Sequence, residues 1–158
     1  MTDFASLLQP DRGQPARAID VVHPDDFASW LSTQPPRLRA LLAAQKITGK
    51  AGNRAILPGE AGDDWSALLV CDEPVTSPWR IASQGEILPE GTYRLRDGVV
   101  GAAGLGWLLA QHRFDRYKAG EPSGARVLLS NDPARIDETV ALAEATARVR
   151  DLVNTGAS

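Results

Sequence analysis

Short apolar and β-branched runs alternate along this chain with segments whose apolar residues recur every three or four positions, and that alternation restricts the fold more than any single residue does. Ala18-Ile19-Asp20-Val21-Val22 reads as a first strand, bounded by His23-Pro24. Pro24 then opens a helix with Asp25 and Asp26 in its first turn, where the helix dipole favours negative charge, and Phe27, Trp30 and Leu31 share one face. Pro35-Pro36 restarts the chain, and Leu38, Leu41 and Leu42 repeat the helical spacing before a turn at Gly49–Asn53. Arg54–Leu57 and Trp65–Cys71 read as strands joined by a Gly- and Asp-rich loop at 58–64. Strands alternating with helices predict an α/β layered domain.

The second half of the chain continues the pattern. Residues 72–90 carry three prolines and are expected to be irregular, with one short helix near Trp79–Gln84. Thr92–Leu95 alternates polar and apolar and is expected to form an edge strand. Val99–His112 is Ala- and Leu-rich and reads as a helix buried on several sides. Ala125–Ser130 is the next strand. Asp132-Pro133 pairs an N-cap with a proline at the first helical position, opening a long helix whose Ile136, Val140, Ala143, Ala147 and Val153 are assigned to one side. Residues 1–17 hold Pro10, Gly13 and Pro15 among polar residues and read as a flexible or loosely packed arm, with Phe4, Leu7 and Leu8 able to pack as a short helix. Residues 18–153 form the expected domain. The end, from Arg150 to Ser158, reads as a helix breaking into small polar residues, with 154–158 starting a linker to a further domain.

With 158 residues, 43% of them hydrophobic, a single domain of this size buries roughly 70% of its unfolded surface and needs no staples. The lone Cys71 excludes an intramolecular disulfide and a thiolate zinc site, and a reducing cytoplasm is the natural setting. Met1-Thr2-Asp3-Phe4 lacks the features of a signal peptide, and no apolar run reaches the roughly 18 residues of a membrane span. The net charge of −3 comes from interspersed charges without a lysine-rich block, which disfavours nucleic acid as a partner.

A search for chemistry in the residues finds structural readings throughout. His23 and His112 are far apart and belong to no close His/Glu pattern; His23 is expected to end a strand and His112 to sit late in a helix. Cys71 closes a Leu-Leu-Val strand and reads as a packed thiol. Gly101-Ala102-Ala103-Gly104-Leu105-Gly106 has the wrong glycine spacing for a dinucleotide fingerprint and reads as close helix packing. Asp25-Asp26 fits a helix start and Asp63-Asp64 a solvated turn. Trp30, Trp65, Trp79 and Trp107 read as packing anchors, since basic residues are not interleaved with them. No catalytic, cofactor-binding or metal-binding residue is assigned.

Two stretches nevertheless carry a resemblance. Leu105-Gly106-Trp107-Leu108-Leu109-Ala110-Gln111-His112-Arg113-Phe114-Asp115-Arg116-Tyr117-Lys118 resembles the segment of cytosol (leucyl) aminopeptidases in which a small-residue helix leads into a Tyr-Arg-Phe-Asp-Arg-Tyr-Lys type sequence. Ala147–Thr155, about 35 residues further on, resembles the segment joining that family's N-terminal and catalytic domains. Arg54–Pro58, Leu68-Leu69-Val70 and Gly91–Leu95 match in order, so the resemblance covers roughly residues 18–158.

The resemblance implies a macro-domain-like three-layer sandwich, with a mixed sheet between helices. It also implies a noncatalytic N-terminal domain serving assembly and substrate access in a hexameric, cytoplasmic metallopeptidase. In that family two divalent metals, usually zinc, manganese or magnesium, are held by the C-terminal catalytic domain, including an Asn-Thr-Asp-Ala-Glu-Gly-Arg-Leu signature. Asn154-Thr155-Gly156-Ala157 lacks its Asp and Glu and matches the domain junction instead, with Gly156 where the family usually has Pro. No family catalytic residue maps onto this chain. The alternative is a stand-alone macro-like module binding ADP-ribose or a related nucleotide, with Gly59–Asp64 or Gly101–Gly106 as the nominated loops.

Overall fold

The computed structural model describes residues 2–112 and 124–156, with Thr155 and Gly156 described by backbone alone. Six strands, β1 (Leu8–Pro10), β2 (Arg17–Val22), β3 (Arg54–Pro58), β4 (Trp65–Val70), β5 (Gly91–Leu95) and β6 (Arg126–Ser130), form one sheet in the order β1-β6-β5-β2-β4-β3. All neighbours are parallel except the β3–β4 hairpin, which adds an antiparallel edge. The helices are α1 (Phe27–Ser32), α2 (Pro36–Ala44), α3 (Ala82–Ile87), α4 (Ala103–Ala110) and α5 (Ile136–Gly156).

The two-residue period of the strands divides the core into two layers. Ile19, Ala67, Leu69, Tyr93, Leu95 and Leu128 point to one face and pack with α4, α5 and the residues Ile81 and Leu88 that flank α3. Val22, Leu68 and Val70 point to the other and pack with Phe27 of α1, Leu38 and Leu42 of α2 and Leu57 of β3. Buried residues occupy consecutive positions 67 to 70 of β4 because both of its faces are covered, the usual condition of parallel strands. The architecture is therefore the expected mixed sheet between helical layers.

Several local expectations are corrected. Thr92–Leu95 is not an edge strand: β5 is hydrogen-bonded to β2 on one side and β6 on the other. Its polar alternation arises because α1 and α2 pack against the β2, β4 and β3 half of the sheet, leaving Thr92 and Arg94 half-buried while Tyr93 and Leu95 are buried. Chain residues 4–10 are not loose either. Phe4, Leu7 and Leu8 are buried, and β1 pairs Leu8 with Leu128 in the sheet. Bidentate bonds from Arg94 Nε and Nη2 to Asp11 at 2.6 and 2.8 Å fix the end of β1 across β6 to β5.

Helix boundaries also shift. The turn before α4 extends to Ala102, because Gly98 and Gly101 take positive φ values of 76° and 52° that a helix does not accommodate. The helix in the proline-rich stretch lies at 82–87, later than expected, and a single 3₁₀ turn at Pro24–Asp26 precedes α1. Asp132 makes no side-chain cap bond; another 3₁₀ turn, Pro133–Arg135, leads into α5 instead. Along α5, Ile136, Val140, Ala143 and Ala147 are buried as assigned, but Val153 is 67% exposed. Six residues beyond Ala147 the helix has turned well past the buried line.

The Arg94–Asp11 pair makes a pH signature. Hydrogen bonds from Arg94 and from the Gly13 amide hold the Asp11 carboxyl down from 3.8 to about 2. A lowered folded-state value stabilises the fold above the unfolded pKa and loses that effect as the pH falls from 3.8 towards 2. Asp11→Asn is therefore expected to lower the urea midpoint at pH 7, with its difference from the parent shrinking through that acid window. A difference unchanged between neutral and strongly acid pH would refute the assignment.

Candidate functional site

The carboxyl ends of parallel strands are where α/β sheets usually bind ligands, and here the protein's own side chains pack that end. After β4, Cys71 donates its thiol to the Arg80 carbonyl at 3.3 Å and accepts the Glu73 amide; burial pushes the thiol up from its ordinary pKa. It is a packed thiol, as expected. Arg80, 9% exposed, reaches from this loop to Asp97 at 3.1 Å and to the Val99 carbonyl, tying the loops after β4 and β5 together. A Cβ on Gly101 would stand 3.2 Å from the Val75 carbonyl.

The expected close packing of the Gly101–Gly106 run is visible. Gly106 donates its amide to the Pro78 carbonyl at 3.0 Å, and Gly104 lies against Leu8 and Thr139. Gly59–Asp64, the other nominated nucleotide loop, joins β3 to β4 and so lies at the opposite end of the sheet.

That opposite end holds an open cleft of about 910 Å³, within the size range of small-molecule sites. It runs from the starts of β2, β4 and β5 to the middle of β2, beside the entrance to α2. Arg17 lies over the Trp65 ring, 4.3 Å from its centre, and donates to the carbonyls of Asp63 and Trp65. Arg37 at the start of α2 donates to the Pro58 carbonyl at 2.7 Å. On the cleft floor Asp20 accepts from Arg96 Nε at 2.7 Å. Burial raises the Asp20 carboxyl pKa, and Arg96 offsets this only in part. Sequence reasoning missed this cleft, because its lining comes from separate segments that only the sheet order brings side by side; Arg17 shares a sheet face with Trp65 and Tyr93, opposite the face of Asp20 and Arg96.

The remaining candidates are placed as follows. His23 follows β2, and its Nδ1 accepts the Asp25 amide at 3.1 Å, so it caps the turn in which Asp25 and Asp26 sit. His112 lies just beyond α4 with Nδ1 2.9 Å from Thr2 Oγ1 and Nε2 2.9 Å from Asp151 Oδ1. This hydroxyl, imidazole and carboxylate series clasps the beginning of the chain to α4 and α5; separations of 110 and 39 residues gave no sequence signal. Trp107 is fully buried, Trp30 and Trp65 are partly buried, and Trp79 is 48% exposed, which corrects its assignment as a packing anchor. Among the described residues there is no group of three or more His, Cys, Asp or Glu placed to hold a metal ion. No described helix is long and apolar enough to cross a membrane.

The fold matches parts of larger solved structures. It superposes on a cytosol aminopeptidase from Coxiella burnetii with a TM-score of 0.75 and 23% identity, covering 93% of this chain and 33% of that one. It also matches the bottromycin maturation enzyme BotP with a TM-score of 0.60, 20% identity and coverage of 89% and 33%. A manganese complex of BotP matches at 0.58 and 21% identity, covering 89% of this chain and 32% of that one. The chain thus spans about a third of the solved chains it matches. No curated protein sequence gives a significant match.

Residues 18–130 match the family described as M17 aminopeptidase, N-terminal domain, and the chain belongs to that family. The resemblance carried by Leu105–Lys118 and Ala147–Thr155 pointed to the same family, although residues 113–118 lie outside the described residues.

Proposed function

We propose that this chain is the noncatalytic N-terminal domain of a metal-dependent leucyl aminopeptidase, with β1 included in the folded unit alongside the expected residues 18–153 and with 154–158 leading towards a C-terminal catalytic domain. The observation that carries the reading is the family match over 18–130, joined to the one-third coverage of a cytosol aminopeptidase. The parent would release N-terminal residues from peptides in the cytoplasm, as a homohexamer. The manganese bound in the BotP structure supports a divalent-metal parent using zinc, manganese or magnesium. There a metal would polarise the scissile carbonyl and activate water; this domain would serve assembly and substrate access.

The outward face of α5 supports an assembly role. Leu142, Val149 and Val153 are 52%, 59% and 67% exposed. Spaced by seven and then four residues, they form one apolar stripe, turned away from the buried Ala143 and Ala147. A following domain of the same polypeptide is the natural cover for that stripe. The packed carboxyl-end loops favour this reading over the ADP-ribose module.

The purified 158-residue chain is expected to release no leucine from leucyl-p-nitroanilide with added manganese or zinc. Metal-dependent turnover by the pure chain would overturn the proposal. The reading frame after Ser158 is expected to continue into a domain bearing Asp, Glu and Lys metal ligands, and a stop codon there would equally overturn it.

A further inference from the structure

We infer that the cleft beside α1 and α2 is a binding site for a small zwitterion with an apolar side chain, the chemistry of a free α-amino acid. The recognising pair is Asp20 and Arg96. Both stand on the sheet face that carries α1 and α2: Asp20 lies beside Leu68 of that core layer, and Arg96 follows Leu95, which points to the other face. Arg96 Nε donates to Asp20 Oδ1 at 2.7 Å, a single bond that leaves half of each group unused. Asp20 is only 9% exposed, yet its Oδ2 accepts no hydrogen bond among the described residues. That oxygen is open to the cleft, since Gln84 Nε2 is the one sealed and unpartnered side-chain polar atom among those residues. Arg96 is 60% exposed, with both Nη atoms unbonded among the described residues. A carboxylate so desolvated is costly with half its acceptors unmet; burial raises its pKa, and nearby Asp97 adds to the rise.

The open Oδ2 suits an ammonium and the free Nη fork a carboxylate, so a ligand bearing both meets complementary charges side by side. The lining as a whole favours a ligand without net charge, because Asp20 and Asp64 stand against the arginines. Of those, Arg17 turns to the opposite face over Trp65, and Arg37 is held on the Pro58 carbonyl. The walls receive the apolar part. Trp30 and Leu38 line one side and Pro15 belongs to the other, where Arg94 Nη2 holds the adjoining Gln14 carbonyl at 2.9 Å. A lone carboxylate beside a guanidinium offers too few oxygens for a divalent cation.

The inference holds whatever reaction the parent performs, and leucine serves as a probe because it carries both charges and an apolar side chain. In an NMR titration of the nitrogen-labelled 158-residue chain, leucine is expected to saturate with a Kd of about 1 mM or tighter. The largest amide shifts are expected at residues 18–20 and 92–96. Leucinamide lacks the carboxylate and 4-methylpentanoate lacks the ammonium, and each is expected to bind at least about tenfold more weakly than leucine. Asp20→Asn and Arg96→Gln are each expected to weaken leucine by about tenfold, with circular dichroism confirming the fold. The two half-ligands test the same pairing without any substitution. Failure of leucine to saturate at about 20 mM, shifts centred elsewhere, or unchanged binding in both folded variants would overturn the inference. Either half-ligand binding as tightly as leucine would reassign the cleft to a single charge or to the side chain alone, and overturn it as well.

Discussion

Trp107→Ala is expected to destabilise the domain by about 3–5 kcal/mol, the range for removing a large buried aromatic. Trp107 is 0% exposed, meets Tyr93 edge-on with ring centres 6.0 Å apart, and donates its indole N–H to the Arg126 carbonyl at 3.0 Å. The cavity decides the cost. Gln111 Nε2 also donates to the same carbonyl, at 2.8 Å, so that acceptor stays satisfied when the indole is lost. Trp107→Phe keeps most of the volume and is expected to cost only about 1–2 kcal/mol, near the value of one buried hydrogen bond plus a little packing. Urea titration of both variants checks the ordering. Equal losses for Ala and Phe would mean that the hydrogen bond, not the volume, dominates.

Gly106→Ala is expected to cost about 3 kcal/mol or more, at the upper end of overpacking effects. A Cβ at this position would fall 2.0 Å from the Pro78 carbonyl oxygen, which is backbone and has no rotamer by which to escape. The same carbonyl accepts the Gly106 amide, so relieving the clash also breaks that bond. Gly104→Ala is the control, since its nearest neighbour is the flexible Leu8 side chain at 3.3 Å. Thermal unfolding is expected to show a large loss for Gly106→Ala and a small one for Gly104→Ala; the reverse order would contradict the packing described.

These two sites show what a reading of small residues in sequence captures. The Gly101–Gly106 run was readable as close packing, because glycines inside an apolar helix have few other uses. Which glycine is indispensable was not readable, since that depends on Pro78 arriving from a separate loop. The sheet shows the same divide. The strands between Arg17 and Val70 were legible from their apolar runs, whereas β1 was missed: three residues ending in proline carry no periodic signal, and their pairing with β6 spans 120 positions.

Local periodicity, cap chemistry and segment resemblance determined the α/β class, the order of most elements and the family, because each depends on residues close together in the chain. Tertiary structure alone decided that β5 is central, that Thr2 and Asp151 meet at His112, and that Arg96 pairs with Asp20. Those facts follow from the crossovers that set strand order, and a crossover is a long-range choice made by packing, invisible to any short window of sequence.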